Sequence, residues 1–202
     1  MLKAMRGRLA WVREARQVRA SIASQPLPAP AKLVRVCSGA ATWLLTVPLI
    51  KHEVLMMVSG GADGGDRHVV HVDAQAFYLG MMRSTPTLRT SEHGNTCMAR
   101  QDMPRDYKYH HAVRGFEHSA RSPVPLAQPA VELDGAGRLR VDFIDGMTRT
   151  YWLLANSCSS FPVEVHGQAE ARLLAAHAGV GIESFAELFA TGEVHASSTA
   201  GA

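Results

Sequence analysis

Segment 131–155 constrains the fold of this 202-residue chain more than any other stretch. Leu139, Val141 and Phe143 alternate with Arg140 and Asp142, the period-2 pattern of a half-buried strand. A glycine-containing turn separates this strand from an earlier one that begins at Val131. Asp145-Gly146 follows it, a pair that tolerates the positive φ angles of a type I′ hairpin. Three antiparallel strands are therefore expected, with Met147 to Ala155 as the third. About Asp145-Gly146, Ile144 would face Met147, Phe143 Thr148, Asp142 Arg149, Val141 Thr150 and Leu139 Trp152. One face then carries Leu139, Val141, Phe143 and Trp152, and the other Arg140, Asp142, Arg149 and Tyr151, with Asp142–Arg149 as a cross-strand ion pair. A one-residue slip would turn the apolar face to water, so the register is constrained.

The rest of the chain is of a size for one domain with an appendage. Hydrophobic residues make up 47% of it, enough for a substantial core. Three distant cysteines, Cys37, Cys97 and Cys158, form no CxxC pair, which argues against a disulfide scaffold and fits a reducing compartment. The net charge of +3 is unevenly placed: residues 1–25 hold six basic side chains against Glu14 alone, which leaves the remainder slightly acidic. A duplex-binding domain usually carries its basic patch within the fold. The apolar run 40–50 ends at Lys51, His52 and Glu53, well short of the roughly 20 residues of a membrane span. Arginines interrupt every apolar stretch of the N-terminus, unlike a signal peptide. A cytoplasmic location is expected.

Residues 2–23 suggest a helix with a partial stripe of Leu2, Met5, Leu9, Val12 and Ile22, either solvated or docked on a partner, with a nucleic-acid or membrane-surface contact as the other reading of its arginines. Three prolines in 26–30 make an extended spacer. Strands are expected at 32–37, 42–47, 54–58, 68–72 and 161–165, the last with Pro162 at its start or on an edge. Asp73 can cap a helix over 74–83 with Phe77 and Met81 inward. Two further helices are expected: 167–177, with Ala169, Leu173 and Leu174 inward and Gly179 closing it, and 183–190, with Phe185, Leu188 and Phe189 inward. The fold class is α+β: a mostly antiparallel β-sheet with C-terminal helices packed on it, plus a basic N-terminal helical arm. The expected organisation is a helical arm over 1–25, a Pro-rich linker over 26–31, one domain over 32–191 and a disordered tail over 192–202.

Segment 88–116 reads as a long, polar, irregular loop, and such a loop is either functional or mobile. His93, Cys97 and His110 or His111 are zinc-ligand types, but their spacing is loose. Cys97, with Arg100 nearby, and Cys158 are candidate thiolates without an obvious base. Asp106, His93, His110 and His111 suit nuclease-like acid–base work, with or without a metal. Arg105, Tyr107, Lys108, Tyr109, Arg114 and Phe116 interleave charge with aromatic rings, which suits a protein interface and, less specifically, single-stranded nucleic acid. The glycines of 60–65 lack the GK[ST] of a phosphate loop.

Residues 149–156 (Arg-Thr-Tyr-Trp-Leu-Leu-Ala-Asn), Phe161-Pro-Val-Glu164 and segment 123–128 resemble the plasmid fertility inhibition factor family, as do His93-Gly94-Asn95, Tyr109-His110 and Gly115-Phe116. The resemblance spans about residues 33–190 and excludes the basic arm. It implies a small cytoplasmic protein from a mobile element that blocks conjugative transfer of a co-resident plasmid. The implied target is the coupling-protein ATPase of a type IV secretion system, bound without any reaction being catalysed and without a cofactor or metal. With the loop composition, it makes Arg105, Tyr107, Tyr109, His110, Arg114, Arg140 and Arg149 the contact candidates. The alternative is a nucleic-acid-processing enzyme using the His93–His111 loop.

Overall fold

β-Branched runs and the turns between them build the first sheet. The computed structural model describes residues 2–37, 39–60, 66–84, 97–190 and 194–195. Strands β1 (Lys32–Cys37), β2 (Ala40–Val47) and β3 (His52–Ser59) form an antiparallel meander. β5 (Val124–Pro125) joins β3 in parallel. The amide of Leu126 donates to the carbonyl of Met57, so even-numbered residues turn their N–H groups toward β3. The odd positions, Pro123 and Pro125, have no N–H to offer on the outer edge, which blunts that edge against further pairing.

A second sheet has the order β8-β4-β9 and carries much of the core. β4 (Arg67–Asp73) and β8 (Ser160–His166) are buried along almost their whole length. Pro162 lies on β8, an edge strand, as its chemistry requires. The Asp73 carboxylate accepts from the amides of Gln75 and Ala76 at 2.7 and 2.9 Å and caps α2 (Ala74–Ser84), whose Phe77 and Met81 are buried. Helix α5 (Gln168–Ala178) packs on β4, with Ala171, Leu174 and Ala178 buried. Ala169 is exposed, a departure from the expected inner face. Gly179 ends α5 with extended backbone (φ −85°). Glycine is needed there because a Cβ would lie 2.5 Å from Ala175 Cα.

β9 (Gly179–Ser184) then pairs with β4 and delays the last helix, α6, to Phe185–Ala190. The two glycines, Gly179 and Gly181, hide this strand in the sequence. The tail expected to be disordered contributes β10 (Val194–His195), paired with β1.

The ribbon of β6 (Gln128–Leu133) and β7 (Leu139–Asp145) is present, with Val131 opposite Val141 and Leu133 opposite Leu139. The expected third strand is not: Met147–Ala155 is helix α4. Gly146 (φ 93°) takes the left-handed conformation by itself, whereas a type I′ turn needs two successive positive φ angles, and Asp145 has none. The β-forming residues of this segment are buried all round the helix, with Thr150, Tyr151, Trp152, Leu153 and Leu154 all in the core. Thr150 is accommodated by donating its hydroxyl to the carbonyl of Gly146 at 3.2 Å. Arg149 therefore pairs with Asp145 one turn back (2.6 Å) instead of with Asp142.

Residues 97–116 are also more regular than expected. A 3-10 helix spans Arg100–Arg105 and α3 spans Tyr109–Glu117. Residues 85–96, with His93, lie outside the described residues. α3 buries Ala112 and Phe116, and Phe116 stacks on Trp152 of α4 with centroids 4.0 Å apart.

Helix α1 (Leu2–Ser24) is docked, with Ala15 and Val18 buried and Trp11 against the core. Of the expected stripe, Val12 and Ile22 are exposed, and the side chains of Leu2, Met5 and Leu9 lie outside the described ones.

Candidate functional site

The left-handed glycine that turns β7 into α4 also opens the candidate site. β7 ends beside the N-terminus of α4, and α3 lies opposite. Between them runs a groove of about 960 Å³. Asp106, Tyr107, Lys108 and His111 form one wall. Phe143, Ile144, Met147 and Arg149 form the other, and Met98, Val124 and Tyr151 are among the residues that complete the lining. Two large apolar side chains stand open to solvent here, Tyr107 at 77% and Ile144 at 69% exposure. Apolar surface beside charge on a concave wall is the composition of a recognition surface.

The electrostatics are set by which charges already have partners. Arg149 is held by Asp145, and Arg105 by Asp102 at 2.7 Å. The Asp106 carboxylate accepts from the Lys108 amide of its own loop at 3.0 Å and from the Thr148 hydroxyl of α4 at 3.5 Å. The Lys108 ammonium lies 5.2 Å from the Tyr107 ring centroid. The His110 and His111 rings lie with centroids 4.0 Å apart and planes tilted by 37°. The charge of His110, then desolvation, then Arg114 and Lys108, push the His111 pKa below its usual range. A neutral His111 fits its geometry: Arg114 has only donors and lies 3.1 Å from Nδ1, which must therefore accept.

Of the seven contact candidates, Tyr107 and Arg149 line the groove. His110 and Arg114 adjoin it through His111, and Arg105 ends the 3-10 helix leading into it. Tyr109 turns the other way, accepting from the Asn156 side chain at 3.5 Å, and burial raises its pKa. Arg140 sits on the ribbon, paired with Glu132 at 2.9 Å. Sequence reasoning placed none of Phe143, Ile144, Met147 and Thr148 in the site, because it sent the chain after Gly146 across a sheet.

Neither Cys97 nor Cys158 has the setting of a reactive thiolate. Burial pushes the Cys97 thiol far above its normal pKa and the Glu14 charge adds to this. Arg100 opposes both but is outweighed. Burial raises Cys158 to about 12. Among the described residues no three His, Cys, Asp or Glu side chains cluster as metal ligands, and no helix is long and apolar enough to cross a membrane.

A family model described as plasmid fertility inhibition factor matches residues 69–179, more than half of the chain and the whole groove. A second match is the Shigella flexneri protein named Protein osa, 38% identical over 157 residues, which are 77% of this chain and 77% of that protein. The chain belongs to the plasmid fertility inhibition factor family. A crystal structure of an oncogenic suppression activity protein, described as a plasmid fertility inhibition factor and solved as a gold(I) cyanide derivative, superposes with a TM-score of 0.76. That protein is 31% identical, and the match covers 92% of this chain and 95% of that one. The fertility inhibition factor fold thus extends across both sheets and the helices packed on them.

Proposed function

We propose that this fertility inhibition factor blocks conjugative transfer of a co-resident plasmid by binding the coupling-protein ATPase of a type IV secretion system in the cytoplasm. The observation that carries this reading is the groove between α3 and the β7–α4 corner, inside the family-matched span, where exposed Tyr107 and Ile144 stand beside Lys108, His111 and Arg149. Inhibition is by occupancy: the bound protein covers a surface the ATPase needs, and no bond is made or broken. His110 and Arg114 extend the contact along α3, and Arg105 extends it along the 3-10 helix. Arg140 extends it along the ribbon, and Tyr109 supports α3 from behind. The arginines of α1 offer a separate surface to nucleic acid.

A mating assay tests the proposal. Donors carrying several conjugative plasmids are compared with and without the protein, with transfer frequency as the readout. Transfer of one plasmid class should fall at least tenfold, and Tyr107→Ala with Ile144→Ser should restore most of it, as expected when interface anchors worth about 2 kcal/mol are removed. Unchanged transfer of every class would overturn the reading.

The groove also supports a second reading, a nuclease-like enzyme, because it brings Asp106, His111 and Arg149 to one cavity. A neutral His111 is in the state a general base requires. Cleavage of plasmid DNA by the purified protein with Mg²⁺ or Mn²⁺, lost in His111→Ala, would establish this second reading over pure occupancy.

A further inference from the structure

The N-terminal helix carries one carboxylate, Glu14, among six basic residues. Arg13, Arg16 and Arg19 are exposed, whereas Glu14 is half-buried, with Oε1 accepting from the backbone N–H of Arg100 at 3.1 Å. Arg100 is the first residue of the 3-10 helix Arg100–Arg105. The residue before it, Ala99, has no side chain with which to cap the helix. Glu14 supplies the missing cap from 86 positions away. Its negative charge also sits where the helix dipole favours an anion.

The contact continues toward the groove. The Arg100 guanidinium donates to the Gln75 side chain at 2.7 Å and lies 4.8 Å from the centroid of the Tyr78 ring. The Tyr78 hydroxyl donates to the carbonyl of Met98 at 3.1 Å, and the Met98 amide donates to the Tyr151 hydroxyl at 3.3 Å. Met98 and Tyr151 line the groove. The far end of the 3-10 helix delivers Asp106, Tyr107 and Lys108 to its wall.

We infer that Glu14 is a positioning residue of the groove, so that α1 is a component of the site and not a detachable arm. The inference rests on the groove being the functional surface. Its physical core is that α1 holds a wall whose own sequence cannot cap it.

Hydrogen exchange measured by mass spectrometry on the full chain tests this. Amides in 97–108 should exchange roughly fivefold faster in Glu14→Ala, the factor expected for losing one helix cap, and by less in Glu14→Gln, which keeps the acceptor without the charge. Amides of helix α5 (168–178), packed on β4, should not change. A purely structural role would raise exchange everywhere together. That result, or no change in 97–108, overturns the inference. In the mating assay the same two variants should lose inhibition in the same order, and full inhibition by Glu14→Ala despite a loosened wall would also overturn it. Failure of the wild-type protein to inhibit transfer would overturn the proposed function and leave the exchange data to decide the cap.

Discussion

Strand β7 is entered and left through turns of similar composition, and the two do opposite things. On the way in, Asp134 and Gly137 close a hairpin. The Asp134 carboxylate accepts from the amides of Ala136 and Arg138 at 2.9 and 3.0 Å, and Gly137 sits at φ 70°. On the way out, Asp145-Gly146 meets the same local requirement, a positive φ at glycine, yet the chain turns into α4. The first turn stands in open solvent: a Cβ on Gly137 would meet nothing within 4 Å. The second is pressed against another element: a Cβ on Gly146 would lie 2.6 Å from Ala127 Cα and 2.7 Å from its Cβ. A turn in water is governed by its own residues, and a turn in the core by what the following segment must bury.

The largest expected effect tests that contrast directly. Gly146→Ala combines left-handed strain of roughly 1–2 kcal/mol with overpacking of roughly 1–3 kcal/mol against the Ala127 backbone. Gly137→Ala carries only the strain, roughly 1–2 kcal/mol. Urea denaturation of both variants measures the difference. Equal losses would mean that the approach to Ala127 costs nothing and that the corner is set locally after all.

The same distinction explains how far the molecule was legible in its sequence. Strands β1 to β4, the Asp73 cap and the β6–β7 ribbon could be read because local chemistry and tertiary position agree there. Asp73 bonds the two amides just ahead of it, and Val131 and Val141 face each other across the ribbon. α4 could not be read, because threonine, tyrosine and tryptophan favour strands locally, while their burial against Phe116 and the core selects a helix. β9 was hidden for the converse reason: its glycines are weak strand formers, and pairing with β4 holds them extended. The candidate site inherits these limits. Tyr107 follows from the loop composition and Arg149 from its expected place on an exposed strand face together with the family resemblance, but Phe143, Ile144 and Met147 join them only because the chain turns at Gly146.

A smaller effect sharpens the solvent-exposed side of the comparison. The Arg138 side chain, then its amide, hold the Asp134 pKa at about 2, below its usual 3.8. A carboxylate depressed in the folded state stabilises above its unfolded pKa, and that contribution disappears as pH falls from about 4 to about 2. Asp134→Asn should therefore lower the urea midpoint at pH 6, and the gap from the wild-type protein should close as pH approaches 2. A constant gap across this range would show that Asp134 acts through turn geometry alone, as asparagine also can, without a contribution from its charge.

The smallest effect bears on function. Glu132 and Arg140 are directly opposed on the ribbon, 2.9 Å apart, with 65% and 38% of their side chains exposed. An exposed cross-strand pair couples by roughly 0.2–1 kcal/mol and weakens with salt. A double-mutant cycle with alanine at both positions measures the coupling, and repeating it in 1 M NaCl tests the screening. A weak coupling has a consequence for Arg140 as a contact candidate: breaking the pair frees the guanidinium at little cost, and Arg140→Ala leaves the fold intact. Any loss of transfer inhibition in Arg140→Ala is then read as a lost partner contact. A salt-resistant coupling well above 1 kcal/mol would instead make Arg140 part of the ribbon's own stability, and confine the contact surface to the groove and α3.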